Sequence, residues 1–169
     1  DLIVGLPEET LCDVKNTMEE IKALAPDSVT VHSLAIKRAA RLNMFKERYG
    51  NLKIENTQEM IDMTARYAEE MGMNPYYLYR QKNMAGNFEN VGYAAPGKEC
   101  IYNILIMEEK QTILACGAGA GTKIVLPEKM TLENGKSTNL IRIENVKNIT
   151  EYISRIDEMI ERKGEWLWH

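Results

Sequence analysis

The sequence predicts an α/β fold, with a βαβ unit at its start and a mixed α+β segment after it. Three observations predict it. Residues 2–4 (LIV) are a short apolar run of the kind that fills a buried parallel strand. Leu11, Val14, Met18, Ile21 and Ala25 then follow at spacings of 3, 4, 3 and 4, which is one face of a helix. Residues 27–36 (DSVTVHSLAI) are rich in β-branched residues and read as a second strand. Strand, helix and strand within about 36 residues make a βαβ unit, and such units build parallel sheets.

The elements follow in order. Gly5 and Pro7 end the first run, and Glu8 and Glu9 suit a helix N-terminus, where anions meet the helix dipole. Pro26 stops that helix. Residues 37–50 (KRAARLNMFKERYG) are basic and read as a long connection holding a short helix. Thr57 is the expected N-cap of a helix over 58–71, with Gly72 just past its end. The apolar stripe of that helix is Met60, Ile61, Thr64, Tyr67, Ala68 and Met71. Residues 75–80 (PYYLYR) read as a third strand. Residues 81–99 hold Gly86, Gly92, Pro96 and Gly97 among several asparagines and read as an irregular loop long enough to be functional.

The second half is more mixed. Residues 100–107 (CIYNILIM) and 112–117 (TILACG) are apolar runs around a turn at 108–111. Residues 123–127 (KIVLP) and 139–145 (NLIRIEN) are strand candidates, and Asn134-Gly135 between them is a hairpin signal. Residues 148–164 read as an amphipathic helix capped by Asn148, with Glu151 at N3. Its apolar face is Ile149, Tyr152, Ile153, Ile156 and Ile160. Two segments result: 1–72, a βαβ array, and 73–169, strands with one closing helix.

Composition narrows the function. The 169 residues suffice for one domain or one and a half. Hydrophobic residues are 44% and charged residues 27%, so a core can form. The net charge is −4, without a basic cluster for nucleic acid or a polybasic helix for a membrane surface. No run approaches the ~18 apolar residues of a membrane span, and no signal-peptide pattern opens the chain. Cys12, Cys100 and Cys116 are odd in number and widely spaced, which argues against a disulfide framework. They form no C-x-x-C pair, so the chain alone carries no zinc or iron–sulfur ligand set, and each cysteine reads as a buried small hydrophobe. The expected compartment is the reducing cytoplasm. The abrupt opening on an apolar strand reads as a piece of something longer.

Four features carry candidate chemistry. Residues 113–125 (ILACGAGAGTKIV) have glycines at 117, 119 and 121. The order Gly-Thr-Lys, with a strand-like run after it, fails the phosphate-binding P-loop, and the glycine spacing fails the dinucleotide fingerprint. A plain turn and a close nucleoside contact both stay open, since small residues alternating along a strand admit a flat ligand. Asp1 is a cap or ion-pair partner, or it holds a ribose through the two hydrogen bonds a carboxylate accepts. His32, within a strand, reads as a hydrogen-bonded structural histidine, with no triad pattern near it or near His169. Tyr76, Tyr77, Tyr79, Arg80 and Lys82 form either an edge strand with amphipathic tyrosines or a grip on a carboxylate-bearing substrate.

Four segments in this order resemble a known family. They are DLIVGLPEET (1–10), ALAPDSVTVHSLAI (23–36), YYLYRQKNMAGNFENVGY (76–93) and ACGAGAGT (115–122). Together they resemble the oxygen-independent coproporphyrinogen III oxidase family of radical S-adenosylmethionine (SAM) enzymes, and the third segment its HemZ-like coproporphyrinogen dehydrogenase branch. The resemblance covers residues 1 to about 125. It implies a partial (β/α) barrel, of which 1–72 is the last part, and a family-specific segment over 73–169. It implies SAM and a four-iron four-sulfur cluster as cofactors, the cluster held by a C-x-x-x-C-x-x-C loop upstream of this chain. The implied reaction is oxidative decarboxylation of coproporphyrinogen III propionates to vinyl groups. The implied partners are a porphyrinogen substrate and an electron donor such as a flavodoxin or ferredoxin.

Position by position, Asp1 matches a SAM-contacting aspartate, Ile3 would pack on the adenine, and Ala35 matches a backbone contact. Gly121 falls at a further adenine-side position where the family residue is larger. Asn103 matches an Asn that follows a basic residue in the family, with Tyr102 replacing that basic residue here. Arg80 and Asn103 are the candidate substrate contacts. The resemblance assigns no catalytic side chain and no metal ligand within this chain, which alone is expected to be inactive. A haem carrier of the same superfamily and a stand-alone interaction domain are the competing classes.

Overall fold

In a computed structural model of the chain, residues 1–36, 40–80, 82–132 and 135–168 are described. The start of the basic connection at 37–39, Asn134 of the hairpin signal, and His169 lie outside the described residues. The fold is mixed α/β, as the sequence predicts, and it divides into two compact units, residues 1–101 and 102–169.

The first unit opens with β1 (Leu2–Val4), α1 (Leu11–Leu24) and β2 (Ser28–Ser33), the expected βαβ unit. β1 and β2 are parallel, with Ile3 opposite His32. Gly5 turns the chain at φ 85°, where an added Cβ would press on the Asn56 side chain. The Glu9 carboxylate closes that turn by accepting from the Gly5 and Leu6 amides at 2.7 and 3.1 Å. The Glu8 carboxylate accepts from the Lys53 amide. Both acids therefore bind turn amides in place of the expected helix N-terminus. Thr10 caps α1 instead, in a reciprocal box with Asp13. Asp13 is correspondingly held below the ordinary carboxylate range by its hydrogen bonds from Thr10. Thr10→Ala is expected to cost about 1 kcal/mol, read as a lower thermal midpoint.

Two short helices follow, α2 (Arg41–Met44) and α3 (Lys46–Tyr49), then α4 (Gln58–Glu70), capped by the Thr57 hydroxyl and ended before Gly72 at φ 72°. β3 (Asn74–Tyr79) is the expected third strand. The expected irregular loop over 81–99 contains a further strand, β4 (Asn90–Ala94). It sits inside the sheet, whose order is β1-β2-β4-β3, and runs antiparallel to both neighbours. Gly92 and the flanking asparagines hid it, because they weaken the β-propensity signal. The core lies under one face of this sheet, where Leu2, Val4, Val29 and Val31 meet Val14 and Met18 of α1 and Met60, Met63 and Ala68 of α4. Ala25, expected on the α1 face, is its exposed left-handed C-cap.

Residues 101–108 form a helix, α5 (Ile101–Glu108), all but its first residue in the second unit. An eight-residue apolar run carries no decisive period, so the sequence could not separate helix from strand. β5 (Gly121–Thr131) and β6 (Ser137–Glu144) pair as the expected antiparallel hairpin. Their register shifts between Val125 and Met130, where Pro127 lacks an amide to donate. The closing helix is two helices, α6 (Ile149–Ser154) and α7 (Ile156–Leu167), broken at Arg155. Asn148 caps α6 by accepting from the Glu151 amide. The expected apolar face does not turn inward: Ile149, Ile153, Ile156 and Ile160 are exposed, while Met159 and Gly164 are buried. The break at Arg155 resets the helical phase after Ser154. All three cysteines are free and exposed, against the expectation of buried ones. Among the described residues no helix is long and apolar enough to cross a membrane.

Candidate functional site

Successive strand residues face opposite ways. With Leu2, Val4, Val29 and Val31 turned to the helices, Ile3, Thr30 and His32 turn to the other face. Two tyrosines of edge strand β3 lie back across β4 on that face. Tyr77 stands opposite Gly92 and Tyr79 opposite Asn90. A Cβ on Gly92 would overlap the Tyr77 ring. Because Gly92 is flat, the Tyr77 hydroxyl reaches the Thr30 hydroxyl at 3.0 Å. The Tyr79 hydroxyl lies 3.1 Å from His32 Nδ1. The Tyr77 and Tyr79 rings are parallel within 3° at 6.2 Å between centroids. Burial raises the Tyr77 phenol pKa, with the Thr30 hydrogen bond opposing it, so the group stays protonated at neutral pH.

Beside this shelf is a cavity of about 380 Å³. Asp1 and Ile3 line it from β1, His32 and Ser33 from β2, and Tyr79 and Asn90 from the shelf, with Leu34 and Ala35 at the rim. Asp1 Oδ2 is 3.7 Å from His32 Nε2, a charge contact longer than a hydrogen bond. Burial depresses the His32 pKa, which favours the neutral imidazole at pH 7. His32 Nδ1 and the Tyr79 hydroxyl share one hydrogen bond, whose donor follows the tautomer of the ring.

Ser33 is 3% exposed, and its amide donates to Asn90 Oδ1 at 2.8 Å. Its hydroxyl is buried with no hydrogen-bond partner and, two residues on from Val31, belongs to the helix-side face. Residues 34–36 are pinned by the turn after β3: the Ala85 amide donates to Leu34, and the Ile36 amide to Asn83. Ala35 bridges Met84 between these bonds, so its own N–H and C=O point away from that bridge.

Of the residues singled out in the sequence, Asp1, Ile3 and Ala35 share this cavity. Arg80 follows the shelf and pairs with Glu89 at 3.6 Å, both side chains largely exposed. Asn103 and Gly121 belong to the second unit, on α5 and at the start of β5. Gly121 stands opposite Glu144, and an added Cβ would meet only the Glu144 Cγ at 4.0 Å. The glycine segment before it is a turn and not a strand: Gly117 and Gly119 have φ 102° and 71°. Asn145 holds that turn by donating to the Gly117 and Ala115 carbonyls, and the Tyr152 hydroxyl accepts from the Gly117 amide at 3.0 Å.

His32 is hydrogen-bonded, as expected of it, and it also lines the cavity. Ser33 and Asn90 were not legible as site residues, whereas Tyr79 was singled out with its neighbours as an edge-strand tyrosine or a substrate grip, and it lines the cavity. The available signal was a shared period of two, Tyr77 with Tyr79 and Asn90 with Gly92, which places large residues on one strand over small ones on the next.

Fold and cavity together define a mixed α/β segment with one sheet face covered by helices and the other bearing a small, mostly apolar pocket. The chain is 40% identical over 167 residues to the oxygen-independent coproporphyrinogen-III oxidase-like protein HemZ of Bacillus subtilis (strain 168). The match takes in 99% of this chain and 32% of that protein, so the chain spans about a third of its relative's length. This is the family that the four motif segments resemble. No protein-family model matches the chain, and no solved structure matches it significantly.

Proposed function

We propose that the chain is the C-terminal part of a radical SAM enzyme of porphyrin biosynthesis, acting on coproporphyrinogen III, and that the cavity beside Tyr79 takes the nucleoside of SAM. One observation carries this reading: Asp1, Ile3 and Ala35, which the family resemblance marks as SAM contacts, line one cavity on the open face. The residues suit a nucleoside. The Asp1 carboxylate is 77% exposed and can accept both hydroxyls of a ribose. Ile3, 43% exposed, offers an apolar surface two residues along the same face. The outward-facing polar groups of Ala35 supply further hydrogen bonds.

SAM held by Asp1, Ile3 and Ala35 would supply, together with an iron–sulfur cluster, the radical chemistry for oxidative decarboxylation of a propionate. The residues here would bind and orient SAM and exclude water from it. Among the described residues no three of His, Cys, Asp and Glu stand together as metal ligands. The cluster ligands are accordingly proposed in the part of the longer protein that this chain does not span, and the chain alone is proposed to be inactive. On this reading residues 1–72 close a partial barrel and 73–169 form the family-specific segment. Arg80 and Asn103 contact the porphyrinogen, Gly121 lies on the adenine side, a flavodoxin or ferredoxin donates electrons, and the enzyme works in the cytoplasm.

Asp1→Ala in the full-length protein tests the site. Losing charge-assisted hydrogen bonds worth about 1.5–3 kcal/mol is expected to weaken SAM binding roughly 10- to 100-fold. The visible absorbance of the cluster is expected to stay unchanged. Unaltered SAM affinity would remove Asp1 from the site. Titration with haem, without turnover of coproporphyrinogen III, would replace the enzyme by a carrier.

A further inference from the structure

We infer that His32, oriented by Tyr79, is a positioning residue that presets the Asp1 carboxylate for the ribose of the bound nucleoside. The inference rests on the reading of this cavity as a nucleoside site.

Asp1 is the exposed member of the cavity, and an exposed carboxylate samples several rotamers that ligand binding must restrict. His32 Nε2 faces one of its oxygens, Oδ2, at 3.7 Å. Every other link in the chain behind that nitrogen is held. Tyr79 fixes the ring at Nδ1, so rotating the imidazole would break a hydrogen bond. Tyr79 is itself held over Asn90, whose amide oxygen accepts from the Ser33 backbone. It also lies parallel to Tyr77, whose hydroxyl is bonded to Thr30. With Nε2 beside one carboxylate oxygen, the other oxygen is left to accept from a diol. The sheet register makes this possible, because Ile3 is opposite His32 and both side chains leave the same face.

The experiment measures Kd for S-adenosylmethionine and S-adenosylhomocysteine in the full-length, cluster-loaded protein. His32→Leu is expected to weaken both about 5- to 10-fold, and Tyr79→Phe about 2- to 5-fold, as preorganisation is lost. His32→Gln, whose amide nitrogen reaches the Nε2 position, is expected to stay within about twofold. In an Asp1→Asn background His32→Leu is expected to add nothing, since its effect runs through the carboxylate. A full effect of His32→Leu in that background would make the role structural and overturn the inference. So would normal affinity in His32→Leu while Asp1→Ala binds weakly. Normal affinity in Asp1→Ala would instead sink the nucleoside reading itself. Were His32→Leu misfolded by circular dichroism, Tyr79→Phe, which deletes one hydroxyl, carries the same cycle against Asp1→Asn.

Discussion

Met18→Ala is expected to destabilise the first unit by roughly 2–5 kcal/mol, the range for emptying a closed core site. Met18 is fully buried, with 0% exposure, at the centre of α1. Its neighbours in the core are Val4, Val29 and Val31 from the sheet and Met60 and Met63 from α4. Those side chains come from three different elements, so none can slide in to refill the volume without moving its own strand or helix. The expected readout is a lower urea midpoint by far-ultraviolet circular dichroism. Leu24→Ala, at the exposed end of the same helix, is the comparison, and an equal shift in both would refute the placement of α1.

Gly92→Val is expected to cost roughly 1–3 kcal/mol, as overpacking does, and to disable the cavity as well. The strain does not come from backbone conformation, since Gly92 has an ordinary strand geometry in register with Thr30 and Tyr77. It comes from the ring above it. A branched side chain must lift Tyr77, which breaks the Tyr77–Thr30 hydrogen bond and disturbs Tyr79, stacked beside it. The expected signs are a lower thermal midpoint, a weaker tyrosine signal in near-ultraviolet circular dichroism, and weaker SAM binding. In a Tyr77→Ala background the same substitution should cost far less. Equal cost in both backgrounds would mean that something other than the ring meets the new side chain.

Much of the fold was legible because its signals are local. The apolar run at 2–4, the spacing from Leu11 to Ile21, the Thr57 cap with Gly72, and the β-branched second strand each lie within a few turns of chain. The four family motifs were legible for the same reason, and the match to a HemZ protein bears that resemblance out. What was misread depends on partners far away in sequence. β4 looks like a loop because Asn90 and Gly92 have no strand preference of their own. Their value appears only when Tyr77 and Tyr79 arrive from another strand. The isoleucines of α6 and α7 look like a core stripe, yet the break at Arg155 and the burial of Met159 turn them outward. The glycine segment reads equally as strand or turn until Asn145 and Tyr152 bind it as a turn.

Asp1, Ile3 and Ala35 could be chosen from sequence, because each sits in or beside a motif. That they border one cavity, and that His32, Tyr79, Ser33 and Asn90 complete it, follows from strand order and register. Sequence spells out which residues can form a strand and which side alternates inward. It is silent on which strand lies beside which, because pairing energy is gained between residues tens of positions apart and is nearly independent of local propensity. Here that pairing set β4 between β2 and β3, laid two tyrosines over a glycine and an asparagine, and brought a histidine to face the aspartate that begins the first strand.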